Sequence, residues 1–213
     1  LYLFSTGLGE ASTIVGALLV GYPLPLLATQ IIWLNFVTDG FLTVALAMEP
    51  KEEGLLLGTF ERPGKYLLDG LGLRRMLYMG FTMMFGTLFL FEREIGADLT
   101  LAWTMSLTTL AVFQWFNAWN CRSDHISLAR TRLSSNKWLL GATLMVIGLQ
   151  MLALYNPFMQ SILHTTPLSL SAWLTIIPIA ASILVIEELH KAWRRQREKV
   201  RTVRTPVQLL PVL

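Results

Sequence analysis

The chain has 213 residues, of which 54% are hydrophobic and only 15% charged, with 17 basic against 14 acidic side chains. A soluble domain carries about a quarter of its residues as charges, so this composition excludes a globular protein built around one core. A single cysteine, Cys121, excludes an internal disulfide framework and is expected as a buried, inert thiol.

The charges are clumped. Residues 11–38, 76–91, 99–121 and 138–163 contain no Asp, Glu, Lys or Arg. A helix needs about 20 mainly apolar residues to cross a bilayer, and these stretches suffice once polar ends are allowed. The expected fold is therefore all-α, a polytopic transmembrane helix bundle with six spans.

The first span is predicted over about 1–20, ending at "GYPLP", residues 21–25, whose glycine and two prolines make a tight turn. The second covers about 26–47, so that residues 1–48 form a helix hairpin. A polar connector, "EPKEEGLLLGTFERPGKYLLDG", fills 49–70. Residues 71–190 hold a supporting four-helix bundle, with spans at about 72–91, 99–120, 138–156 and 169–187. Polar "CRSDHISLARTRLSSNK" follows the fourth span, and "YNPFMQSILHTTPLS" separates the last two. A basic tail occupies 191–213. The apolar start at Leu1 shows neither the basic region nor the cleavage site of a signal peptide, so the chain is expected to be a fragment or a truncated product.

Six spans place sixteen of the seventeen basic residues on one side of the membrane; only Arg93, inside "EREIGAD", falls opposite. The positive-inside rule assigns the basic side, and with it both chain ends, to the cytoplasm. The short "EREIGAD" loop points to a bacterial plasma membrane. The tail "HKAWRRQREKVRTVR" is read first as a topology determinant that binds nothing specific, with anionic headgroups of the surrounding membrane lipids as the alternative contact. Because the basic residues flank membrane spans, nucleic acid is not an expected partner.

Glu10 and Asp39 lie within spans, where an acidic residue costs roughly 2.5–3.5 kcal/mol. Glu187 and Glu188, at the end of the last span, are expected to be solvated and paired with Lys191 or Arg194. Asn35, Thr38 and Asp39 stand at i, i+3 and i+4, which an α-helix stacks on one face. Thr6 and Glu10 share a face of the first span, and the "GYPLP" turn allows the two faces to meet. The set offers carboxylate, amide and hydroxyl oxygens, which suit a hard cation such as calcium with its 6–8 oxygen ligands. It lacks the His and Cys ligands that zinc or copper would favour. Interhelical hydrogen bonding is the plainer reading. Against it, two facing carboxylates repel unless they are protonated or bridged by a cation. Gly7 and Gly9 serve either close packing or helix opening, and Gly40 is expected to unwind the chain locally.

The segment "WLNFVTDG" (33–40) closely resembles the sixth transmembrane helix of the P-type cation-transporting ATPases, the calcium-pump branch fitting best. "LFSTGLGE" (3–10) resembles their fifth helix, "ERP" (61–63) the segment after the sixth, and "TTLAVFQWFNAWNCRSDHISL" (108–128) the eighth helix and its exit. The whole chain thus resembles helices five to ten. The resemblance implies cation ligands at Glu10, Asn35, Thr38 and Asp39, with Thr6 and Gln114 as further candidates. Gly7 stands where the reticulum calcium pump has Asn, and Gln114 where its eighth helix has Glu. Those departures imply one ion per cycle, with calcium ahead of manganese and sodium behind both.

The same resemblance implies a parent pump that hydrolyses ATP with magnesium and phosphorylates an aspartate. This chain has no Asp-Lys-Thr-Gly motif, actuator loop, nucleotide domain or fourth helix, so it should be inactive alone. Its expected partner is that N-terminal part of the pump, which would also bind the ATP and magnesium, while this chain helps to hold the transported divalent cation. The alternative is a free-standing, non-enzymatic membrane protein that binds cations or serves as an assembly subunit.

Overall fold

The structure is a computed structural model that describes residues 1–50, 70–123, 127, 128, 131 and 133–204. Most of the connector expected at 49–70, including "ERP", and part of the loop after the fourth span lie outside the described residues, as does the tail beyond 204. Every regular element among the described residues is a helix, as composition required.

Helix α1 covers Tyr2–Val20. It stops at Gly21, whose φ of 83° lies in the left-handed region open to glycine. Gly21 N–H then reaches Leu18 O at 3.1 Å and Tyr22 N–H reaches Ala17 O at 2.9 Å, closing the helix in a Schellman turn. The second span is composite: α2 (Ala28–Trp33), a π-helical segment (Leu34–Asp39) and α3 (Gly40–Ala47). Helices α4 (Gly70–Ile95), α5 (Leu99–Asn120), α6 (Lys137–Tyr155), α7 (Pro157–Leu163) and α8 (Leu170–Arg204) follow.

Side-chain caps set several starts. Asp98 accepts from the amides of Thr100 and Leu101, and Asn136 accepts from Leu139 N–H. Asn156 caps α7 from in front of Pro157, a residue suited to a first helical turn. The sequence reading passed over α7, treating "YNPFMQSILHTTPLS" as a plain connection. Helix α8 runs to Arg204, so the first part of the basic tail continues a helix.

Five helices among the described residues are long and apolar enough to cross a membrane: Tyr2–Val20, Ala28–Ala47, Leu99–Asn120, Lys137–Tyr155 and Leu170–Gln196. The six expected spans are thus not all matched by composition. Helix α4 covers the remaining one, but its uncharged stretch, residues 76–91, extends only about 24 Å, short of a hydrocarbon core of about 30 Å. Even so, α4 reaches from one end of the bundle to the other. Arg75 meets Glu187 of α8, and Phe91 meets the ring of Tyr22 beyond α1.

Packing follows the logic of a protein dissolved in lipid. Leu19, Phe36, Ile32, Leu144, Leu174 and Leu189 face outward, whereas α5 buries Thr104, Ser106, Thr108, Thr109, Gln114, Asn117 and Asn120. Lipid is as apolar as leucine, so close fit and hydrogen bonds, not apolar contact alone, order such a bundle. Helix α1 lies chiefly on α4 rather than beside the second span. A Cβ on Gly9 would meet Met83 Sδ at 2.8 Å, and one on Gly80 would meet Leu8 at 2.8 Å. Gly9 therefore serves close packing; Gly7 has open space around it.

Glu187 is fully buried, contrary to the expectation of a solvated end. The cause is α4, which packs against α8 and brings Arg75 and Tyr78 to it. Arg75 Nε donates to Glu187 Oε1 at 2.8 Å, the Tyr78 hydroxyl donates to Oε2, and Lys191 Nζ stands 3.9 Å away. Lys191 in turn donates to Asn120 O at 3.1 Å. Glu188, half-buried, accepts from Leu128 N–H at 2.7 Å. Cys121 is half-buried, more open than the inert core thiol expected.

Candidate cation site

The buried face of α1 carries Tyr2, Ser5, Thr6, Gly9, Glu10 and Thr13, a spacing that repeats with the helical turn. This face looks towards the π-helical segment and α5. Glu10 and Asp39 are 5% and 3% exposed. Glu10 Oε2 accepts from Asn35 Nδ2 at 2.8 Å, and Oε1 accepts from Gln114 Nε2 at 2.7 Å. Asp39 Oδ1 accepts from the Tyr2 hydroxyl at 2.8 Å, and Oδ2 accepts from Thr6 Oγ1 at 2.8 Å.

Every carboxylate oxygen therefore has a donor, and every one of those donors is neutral. Among the described residues no basic side chain pairs with Glu10 or Asp39. A buried charge normally needs a counter-charge or a proton. Hydrogen bonds hold the two carboxylates in place but leave their charge unbalanced. Gln114 Oε1 adds a buried acceptor without a protein partner.

The structure brings together Glu10, Asn35 and Gln114 in one cluster and Thr6 and Asp39 in the other. Thr38 is buried on the same segment, 2% exposed, and Asn35 lies on its open side. The stacking of Asn35, Thr38 and Asp39 presumed an α-helix. Leu34–Asp39 is instead wound as a π-helix, whose i→i+5 bonding puts more residues into each turn. Asn35 still turns to Glu10 and Asp39 to Tyr2 and Thr6, all of them on the buried face of α1. Gly40 stays right-handed helical, with φ −58° and ψ −55°; the irregularity precedes it, and the local unwinding expected at Gly40 is absent.

Two contributors escaped the sequence reading. Tyr2 lies one turn before Thr6 on the same face, which was the available signal. Asn117 Nδ2 donates to Ser5 Oγ at 2.8 Å and ties α5 to α1. Among the described residues no group of three or more His, Cys, Asp or Glu forms a ready metal cluster. The site is a mixed set of two carboxylates with amides and hydroxyls, a chemistry closer to hard-cation binding than to zinc or copper ligation.

Comparison with known proteins adds a family. The family described as "Cation transporting ATPase, C-terminus" matches residues 23–193. "Probable cation-transporting ATPase F" of Mycobacterium tuberculosis is 34% identical over 184 residues, covering 85% of this chain and 20% of that protein. "Calcium-transporting ATPase type 2C member 2" of Mus musculus is 30% identical over 213 residues, 99% of this chain and 22% of its own length. "Calcium-transporting ATPase 1" of Saccharomyces cerevisiae is 28% identical over 201 residues, 93% of this chain and 21% of its own length. The chain thus spans about a fifth of the length of the curated relatives it matches.

Proposed function

Since the chain belongs to the C-terminal region of the P-type cation-transporting ATPases, we propose that it supplies part of the intramembrane cation site of an ATP-driven pump, with calcium as the cargo ahead of manganese. One observation carries the reading: Glu10 and Asp39 are buried beside each other with neutral donors only. A divalent cation balances that pair of charges, and protons can do so when the cation has left.

Glu10, Asn35, Thr38 and Asp39 are the ligands. One oxygen from each carboxylate, the Asn35 carbonyl and the Thr38 hydroxyl give a hard, flexible set of the kind calcium takes. Thr6 and Gln114 sit behind it, each holding a carboxylate by a hydrogen bond and each able to add an oxygen. Two of the relatives named above are called calcium-transporting, which supports calcium over other hard cations. ATP and magnesium act in the remaining four-fifths of such a pump. Helix α4 completes six crossings, given its reach across the bundle. The basic ends then face the cytoplasm of a bacterial plasma membrane, where the tail can meet anionic headgroups.

The test is ATP-dependent calcium uptake into sealed vesicles carrying the complete gene product. Asp39→Asn and Glu10→Gln should each lower uptake at least tenfold while the protein remains in the membrane. Normal uptake by Asp39→Asn would remove the ligand role, and uptake insensitive to calcium but driven by manganese would reverse the order of cargoes.

A further inference from the structure

The helix that carries Asn35, Thr38 and Asp39 is held from outside the site at two points. Near its start, Trp33 Nε1 donates to Gln150 Oε1 on α6 at 3.1 Å. Near its end, Asn136 Nδ2 donates to Ala45 O at 3.1 Å and to Glu49 Oε2 at 2.7 Å. Asn136 is the N-cap of α6, so both ties come from one helix and lie about 20 Å apart along it. Gln150 and Asn136 are each 1% exposed.

Gln150 does more than close one contact. Its Nε2 donates to Thr108 Oγ1 of α5 at 3.3 Å. One amide thus joins α5, α6 and the site helix, and α5 is the helix whose Gln114 holds Glu10. Trp33 immediately precedes the π-helical segment. Asn35 and Asp39 of that segment turn to α1, and the ties to α6 hold the helix at either end of them.

In a bilayer, apolar packing discriminates weakly between registers, because lipid replaces any lost contact. The buried Gln150 carbonyl has no water to turn to, so rotating the half-buried Trp33 away with the site helix would strand it. We propose that α6 braces the site helix and that Gln150 is its positioning residue, fixing through Trp33 the rotation at which Asn35, Thr38 and Asp39 meet the face of α1. The proposal rests on the cation-site reading above.

It is tested by calcium-uptake kinetics of the complete gene product in vesicles. Gln150→Leu should raise the half-saturating calcium concentration about threefold to tenfold, with a maximal rate per membrane-inserted protein within about twofold of the parent. Trp33→Phe removes the same bond from the other side and should shift affinity alike, and it answers the question should Gln150→Leu fail to fold. The double variant should be no worse than Gln150→Leu alone, because Trp33→Phe removes only a bond that Gln150→Leu has already lost. Thr143→Val is the control. Thr143 Oγ1 accepts from Trp119 Nε1 at 3.2 Å, an α6–α5 tie that does not touch the site helix, so its loss should leave affinity alone. Unchanged affinity in Gln150→Leu or Trp33→Phe, additive effects in the double variant, or an equal shift in Thr143→Val would overturn the brace. Asp39→Asn run in parallel separates the two ideas: if it transports normally the cation site itself fails, whereas its inactivity beside an unshifted Gln150→Leu removes the brace alone.

Discussion

Replacing Glu187 by Gln should destabilise the bundle more than any exposed change, because it strands two buried cations. Arg75, Glu187 and Lys191 are 3%, 0% and 2% exposed. At the 3.9 Å separation of Lys191 Nζ and Glu187, the Coulomb attraction at an effective dielectric near 20 is about 4 kcal/mol. The hydrogen-bonded Arg75 adds a second attraction of similar size. Desolvation of the carboxylate offsets much of this, and removing one partner of a buried pair has a net effect of about 3–5 kcal/mol. Thermal unfolding of the membrane-embedded protein, followed by tryptophan fluorescence with denaturant dependence, reads the loss. Two companion variants sharpen it. Glu188→Gln alters a half-buried neighbour on the same turn and should change stability by less than about 1 kcal/mol. A triple change of Arg75 and Lys191 to Met and Glu187 to Leu removes all three charges and should recover most of the loss. A Glu187→Gln protein within about 1 kcal/mol of the parent, or a triple variant worse than the single one, would refute the reasoning.

Other expectations concern packing and capping. Gly9→Ala drives a Cβ to 2.8 Å from Met83 Sδ and should destabilise the α1–α4 contact by about 1–3 kcal/mol. Gly148→Ala has open space and should be neutral or slightly stabilising in the same melt. Asp98→Ala removes the acceptor for Thr100 and Leu101 amides and should lower stability by about 1 kcal/mol, with faster hydrogen exchange confined to the first turn of α5.

Charge clumping located the apolar helices well, since burying a charge in lipid dominates all other terms. The polar cluster proposed as the cation site was legible in part. Glu10, Asn35 and Asp39 stood out as polar residues in apolar runs, and the structure joins Glu10 to Asn35 while setting Asp39 against Thr6. What sequence spacing missed was winding and neighbour choice. A 3.6-residue period cannot announce a π-helical turn at Leu34–Asp39, although Asn35 and Asp39 both meet the buried face of α1. Chain order suggested that the first two spans pack together, yet Gly9 and Gly80 commit α1 to α4, and only polar side chains reach across to Asp39. Glu187 was misjudged in its burial for the same reason: Lys191 stands near it as expected, but its other counter-charge, Arg75, is 112 positions away and no local pattern points to it. The capping pair Asn156–Pro157, by contrast, was a readable local signal that the sequence reading passed over.

The π-helical segment also bears on how this helix can change by mutation. Each wide turn accommodates one residue more than an α-turn would. Deleting a single residue between Leu34 and Asp39 could therefore restore ordinary winding while Trp33 and Ala45 kept their anchors on α6. Rewinding without a deletion would instead rotate everything downstream by about 100°, swinging Leu42 and Ala45 out of the core. Deletion of one residue, which wrecks most helices, is here a change that the winding can absorb, altering how Asn35 and Asp39 are presented without displacing the helix beyond them.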